Sequence, residues 1–523
     1  MRKSILLTST VLLAICSCSD KEFDYDIIPE NAQAGKVYNL TTSQDEDSGR
    51  EIVHATLVVA ENREIPDSRL LALPIKIYKS SNPDPGEPVF WFTGGPGSSN
   101  LHYWPSDELL AQRDMVLVGY RGMDGSTALN CPEFLDGTFK YNMFSKEAIS
   151  VMRNNICDCQ DNWNQSGIDL SCFTMTDVID DMEAARQALK YEKINLLSVS
   201  YGTRLAQIFA YRYPESVNRS IMVSVNPPGH FVWDPETIDR QFQHYSKLWA
   251  DDPVYSKKTN DLSGCIRRVI NNMPKKWLFI NIDPDKVRFA TFMGLHNTSG
   301  AGSVFDTYIA ADNGDASGLA LVSLMTKWQL KKMDKGWGDF VGKAFVDFDP
   351  SVDYYEEMKL NSYIIGSPGA QFMAVAKAWQ VNTKDTLYAK PRNSDVESLL
   401  LSGNIDFSTP AEFARDELMP YLKNGKQYIL SEYGHGGDII NRNYDAYVKA
   451  ITSYYSKGEA DMSGYKTQEV DFTPRMSYPQ LAKIALGCVA GAILLVIGIV
   501  YLVRYIIRRR KRKKLAVLNL ANL

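Results

Sequence analysis

Basic residues are scarce over most of this chain. It holds 57 Lys and Arg against 62 Asp and Glu, a net charge of −5, and eight of the basic residues lie beyond Val503, so residues 1–503 carry −13. A field of that sign argues against nucleic acid as a partner, because phosphate binding needs clustered Lys and Arg. Histidine is scarce as well: besides His435, only His54, His102, His230, His244 and His296 occur, scattered without metal-ligand spacing and expected to be structural or surface residues. No repeat or long low-complexity stretch is present, and with 45% hydrophobic and 23% charged residues over 523 positions the chain falls outside the disordered, collagenous and coiled-coil classes. Cysteine is sparse outside the ends. Cys16, Cys18 and Cys488 sit in apolar terminal segments, and of the other five, the four within 131–172 allow two disulfides in any of three pairings, with Cys265 left as a free thiol. A metal site at Cys157-Asp158-Cys159 is the alternative, disfavoured because no His lies between 131 and 172.

What is present in abundance at both ends is apolar sequence. Arg2 and Lys3 precede an apolar run over 5–15, the pattern of a signal peptide over 1–18. Ala14-Ile15-Cys16-Ser17-Cys18 resembles a lipobox with Cys18 as lipid acceptor, ordinary signal-peptidase cleavage being the alternative. Residues 484–503 are 20 consecutive uncharged positions, long enough to cross a hydrocarbon core of ~30 Å. The basic tail 504–523, with Arg508 to Lys514 unbroken, follows at once and is expected in the cytoplasm. An outer membrane hosts barrels rather than such a helix, so the expected setting is a bacterial inner membrane with the main domain facing the periplasm or exterior.

Between the ends, 19–50 is polar and acidic and is expected to be a tether. Strand patterns over 52–59, 89–93, 115–120, 194–199 and 222–225 alternate with helical ones over 178–190 and from about 203, which predicts a mostly parallel, doubly wound α/β sheet over 51–229. Helical periodicity dominates 230–393, a candidate inserted cap. Strands return at 396–401 and 427–430, and a helix over 438–455 closes the core at about 394–458, leaving 459–483 as a juxtamembrane linker.

Ser198-Val199-Ser200-Tyr201-Gly202 stands where a strand hands over to a helix, the context of a nucleophile elbow, so Ser200 is the candidate nucleophile. An acid and a histidine follow, each past a later strand: Asp406 in Ser402 to Pro410, and His435 in Tyr433-Gly434-His435-Gly436-Gly437. That order, Ser then acid then His, is the order of an α/β-hydrolase triad. Directly after the strand 89–93, Gly94-Gly95-Pro96-Gly97 forms a turn whose backbone N–H groups could meet an oxyanion, with the N–H of Tyr201 as second donor. It lacks the Lys-Ser/Thr ending of a phosphate loop and the spacing of a dinucleotide fingerprint.

Four motifs in order, Gly94 to Gly97, Gly119-Tyr120-Arg121-Gly122-Met123-Asp124-Gly125-Ser126, Ser200 to Thr203, and the Asp406 to Pro410 segment with His435, resemble the proline iminopeptidase and tripeptidyl aminopeptidase branch of the α/β-hydrolase fold. The chain departs from that branch at Thr93, where many members have His, at Tyr120, where Gln is frequent, and at Ser198, in the place of the elbow Gly. The resemblance implies a serine exopeptidase acting on short peptides, with no cofactor and no metal. An esterase on the same scaffold and a non-catalytic envelope binding protein are the alternatives. It also implies a cap acid for the substrate's free amine. Glu356 and Glu357 beside Asp353 are candidates, as is Glu432 near His435; the bland reading of the cap acids is a solvated helix face.

Overall fold

The computed structural model describes residues 27–45, 49–333, 336–357, 363–379, 381 and 384–521. Cys18 and the leader segment lie outside them. Runs rich in β-branched and aromatic residues form the strands of one sheet: β1 (Lys36–Gln44), β2 (Glu51–Ala60), β3 (Leu70–Tyr78), β4 (Gly86–Phe92), β5 (Arg113–Val118), β6 (Ile194–Val199), β7 (Val217–Val223), β8 (Glu397–Gly403) and β9 (Gly425–Leu430). Their spatial order is β1-β2-β3-β5-β4-β6-β7-β8-β9. The first three pair antiparallel, as does β3 with β5, and from β5 to β9 every pairing is parallel.

The central strands are buried on both faces, which is why they carry continuous rather than alternating apolar sequence. Phe90, Phe92 and Leu196 pack on the face covered by the helices Met175–Ala188 and Tyr201–Arg212. Val89, Trp91 and Leu197 pack on the other, under the helix Tyr444–Lys457. Each such side chain contributes about 1.5–3 kcal/mol on burial. Register then aligns the carboxyl ends: Phe92 lies opposite Ser198, Val199 opposite Val223, and Leu401 beside both Val223 and Tyr428. The loops leaving β4, β6, β8 and β9 therefore emerge at one edge, where ligands bind in open α/β sheets.

Most of the insertion between β7 and β8 is helical. Two of its helices start at Asp-Pro pairs, Asp234-Pro235 and Asp283-Pro284; the Asp side chain accepts an otherwise unpaired N–H, and the Pro has none to lose. Phe242, Tyr245, Trp249, Phe292 and Phe305 form its own core.

Four expectations change. Residues 36–44 of the expected tether form β1, an edge strand whose mostly exposed side chains leave no apolar alternation to detect. β3 is an unpredicted strand; Pro74 sits within it opposite Thr56, and the Pro74 carbonyl accepts the Gly119 N–H at 2.8 Å. The expected linker is packed: Phe472 is 3% exposed among Trp249, Tyr255 and Phe305, so this stretch straps the insertion. Of the two possible disulfides one forms, Cys131–Cys159, while Cys157, Cys172 and Cys265 remain thiols. Cys157 and Cys159 are two positions apart on the helix Lys146–Gln165, about 200° around its axis, so only one faces Cys131.

The helix Tyr478–Ala521 begins before the predicted span. Pro479 lies against Gly318, where an added Cβ would come within 2.9 Å of its ring, and Lys483 pairs with Asp315 at 2.6 Å. From Ile484 the apolar residues are exposed, and Tyr478–Arg512 is long and apolar enough to cross a membrane.

Candidate active site

Ser200 follows β6 directly and precedes the first residue of the helix Tyr201–Arg212, with φ 54° and ψ −124°. A side chain in that backbone region is strained, by an order of 1–3 kcal/mol. Surrounding contacts hold it: the Ser200 N–H donates to the Val223 carbonyl at 2.9 Å, and Thr203 Oγ1 donates to the Ser200 carbonyl at 2.6 Å. Gly202 is needed because a Cβ there would lie 2.2 Å from the Phe92 carbonyl oxygen. Ser198 is accommodated where the family pattern has Gly: it is fully buried and its hydroxyl donates to the Ile221 carbonyl at 3.0 Å.

His435 and Asp406 are brought together by the loops after β9 and β8. His435 Nδ1 lies 2.8 Å from Asp406 Oδ2 and 3.0 Å from Oδ1. Asp406 is fully buried and also accepts the Ser408 and Thr409 N–H groups and the Thr409 hydroxyl. Burial pushes its carboxyl up, but the His435 pair and the Thr409 hydrogen bonds outweigh that and hold it below its usual range. Because a carboxylate only accepts, Nδ1 carries the proton of a neutral ring and Nε2 keeps its lone pair. Ser200 and His435 line one cavity of about 1640 Å³.

The glycine turn stands across from Ser200. A Cβ on Gly94 would come within 2.9 Å of the Ser200 Cβ. Asn100 closes the turn by accepting the Thr93 N–H and donating to the Trp91 and Val118 carbonyls, each at 2.9 Å. Among the described residues the N–H groups of Gly94, Gly95 and Tyr201 donate to nothing, whereas that of Gly97 is taken by Asp339.

Residues 87–259 match the family described as alpha/beta hydrolase fold, and residues 364–467 match the family described as TAP-like protein. The chain is an α/β-hydrolase of the TAP-like family. Tripeptidyl aminopeptidases of Streptomyces lividans and Streptomyces coelicolor are each 27% identical to it over 176 residues, 30% of this chain and 32% of theirs. The chain thus matches about a third of the length of these relatives. A serine hydrolase from Cycloclasticus zankles superposes with a TM-score of 0.36 at 11% identity, covering 78% of this chain and 100% of its own. A thermophilic esterase from Thermogutta terrifontis gives 0.33 at 12%, covering 81% and 100%.

In this TAP-like hydrolase Glu356 and Glu432, two of the acids expected at a substrate amine, are not among the described residues that line the cavity. Glu432 pairs with His244 at 3.0 Å, and Glu356 is exposed on the short helix Tyr354–Glu357, whose last residue is Glu357 and whose first turn Asp353 caps. Glu469 and Asp471, from the strap, do line the cavity. No metal-ligand cluster with unengaged donors emerges among the described residues: Glu133 lies near Cys131 and Cys159, but the disulfide occupies both sulfurs.

His296, expected to be structural or on the surface, sits in the site. Its ring lies 5.2 Å from that of His435 at 84°, its Nδ1 is 3.0 Å from the Phe292 carbonyl, and its own carbonyl accepts the His435 N–H at 2.6 Å. Burial and then the neighbouring His435 push its pKa down to about 4. The unfolded chain, at 6.5, binds a proton that the folded chain refuses, so stability declines as pH falls from 6.5 to about 4 and levels off below. The decline is at most about 3 kcal/mol. His296→Gln, which keeps a donor for the Phe292 carbonyl, is expected to flatten that limb; melting temperatures from pH 7 to 4 for both proteins check this, and parallel curves would refute it.

Proposed function

We propose that the chain is a serine exopeptidase that cleaves short peptides behind a free amino terminus, from a domain held on the outer face of the inner membrane by the helix over 484–503. The observation that carries the reading is the union of three features in one cavity: a serine at a strained strand-to-helix turn, a histidine whose Nδ1 is engaged by a buried carboxylate, and unengaged backbone donors opposite the serine.

In the proposed mechanism His435 Nε2 takes the Ser200 proton as Oγ attacks the scissile carbonyl. Asp406 stabilises the imidazolium, and the Gly94, Gly95 and Tyr201 amides receive the oxyanion. The imidazolium proton passes to the departing amine. Water then attacks the acyl-enzyme with His435 again as base. The size of the cavity supports an oligopeptide rather than a single residue, since pockets for small ligands span ~300–1,000 Å³. Among the described residues three carboxylates line its wall: Asp438, which accepts the Thr298 and Gly434 N–H groups, and the strap acids Glu469 and Asp471, which are the candidates for a substrate ammonium.

Matched tripeptidyl and aminoacyl amides with free and acetylated amines test the reading on the full chain in detergent. Hydrolysis confined to free-amine tripeptidyl substrates supports it. Cleavage of simple esters without amides would transfer the chain to the acyl esterases on this fold.

A further inference from the structure

The glycine turn is held from outside the α/β core. The helix Trp337–Ala344, which belongs to the insertion between β7 and β8, enters beside the turn and beside the Gly119 to Ser126 motif. Its Asp339 is 1% exposed, and Oδ2 accepts the Gly97 N–H at 3.1 Å. Oδ1 pairs with Lys343 one turn on, which is fully buried and donates to the Arg121 carbonyl at 3.2 Å. Close packing leaves little play. A Cβ on Gly97 would meet the Gly336 carbonyl oxygen at 2.8 Å, and one on Gly122 would meet Asp339 Oδ1 at 2.6 Å. Arg121 is itself locked by Asp181, at 2.6 and 2.7 Å.

A buried ion pair is costly to desolvate and is poor evidence for stability in its own right. This one ties the glycine turn that lines the cavity to the Gly119 to Ser126 loop, and the Gly97 N–H that donates to Asp339 lies three residues from Gly94. We propose that Asp339, oriented by Lys343, is a positioning residue for the oxyanion turn: it engages the Gly97 amide and so aims the Gly94 and Gly95 amides at the site of the developing negative charge. The inference rests on the acyl-transfer reading above. Tilting an oxyanion donor away weakens the transition state and leaves ground-state binding nearly unchanged, so the defect belongs in kcat.

The test is Asp339→Asn in the full chain, with Ser200→Ala as reference. Asparagine retains an acceptor for Gly97 but gives up the charge that holds Lys343. The expected result is a fall of about 100-fold in kcat with KM within about threefold. A tripeptide aldehyde, whose serine adduct needs the oxyanion donors, is expected to lose the same factor in inhibition, whereas the matching amino alcohol keeps its affinity. If Asp339→Asn does not fold, Asp339→Asn with Lys343→Met leaves no lone buried charge, and the same ratios are read from it. A folded variant with unchanged kcat, with the loss in KM alone, or with equal losses for aldehyde and alcohol overturns the positioning role. Activity surviving Ser200→Ala would instead overturn the acyl-transfer reading itself, so the two failures are distinguishable.

Discussion

Ser200→Ala is expected to lower kcat/KM on a free-amine peptide amide by roughly 10⁴-fold or more, with the melting temperature nearly unchanged. The size of the loss follows from removing the attacking atom. The unchanged stability follows from the backbone: alanine keeps the Cβ, so the strain at φ 54° is the same, and the hydrogen bonds that hold the turn come from the Ser200 N–H and carbonyl rather than from its hydroxyl. Any residual rate reflects the backbone donors and substrate binding. Turnover and melting measured on one preparation separate chemistry from folding, and a loss of less than tenfold would show that another residue is the nucleophile.

The second large effect is expected at Asp406→Asn, a loss on the order of 10⁴-fold in kcat. Four groups donate to this carboxylate: the Ser408 and Thr409 N–H, the Thr409 hydroxyl and His435 Nδ1. An amide presents one oxygen and one NH₂, so at least one of these donors must face another donor. With the two backbone donors at Oδ1, the NH₂ falls toward His435 and Thr409. Donation from that NH₂ to Nδ1 moves the ring proton to Nε2, and a protonated Nε2 cannot accept the Ser200 proton. A stability loss of about 1–3 kcal/mol accompanies this, from buried donors left without acceptors. The depressed Asp406 carboxyl adds a pH signature. Its contribution is present at neutral pH and is lost as acid titrates it through its folded value, and the variant lacks that limb. A kcat within tenfold of the parent would remove Asp406 from the mechanism.

Much of the site was legible because its parts are local in sequence. The elbow is a five-residue pattern at a strand-to-helix junction, the glycine turn abuts β4, and Asp406 and His435 each follow a strand, so segment-by-segment reading finds them. The supports were not legible. Asp339 meets Gly97 across 242 residues, and His296 meets His435 only because the insertion docks on the loop after β9. Neither has a signal nearby, since a lone Asp on a helix, or a lone His in the bend just after one, is ordinarily a surface residue. Glu432 illustrates the converse: three positions from His435 in sequence, it turns away to His244.

The amino-acid sequence by itself determined the order and type of most core elements, β3 excepted, the apolar helix near the end of the chain and the chemical inventory of the candidate site, because hydrophobic periodicity, turn chemistry and motif spacing act over a few residues at a time. Only the tertiary structure decided the disulfide partner, the exposed edge strand β1, the packing of Phe472 into the insertion and which acids reach the cavity. Those outcomes depend on which way a side chain faces once helices and strands have docked, and that direction is set by distant partners through burial and hydrogen-bond geometry.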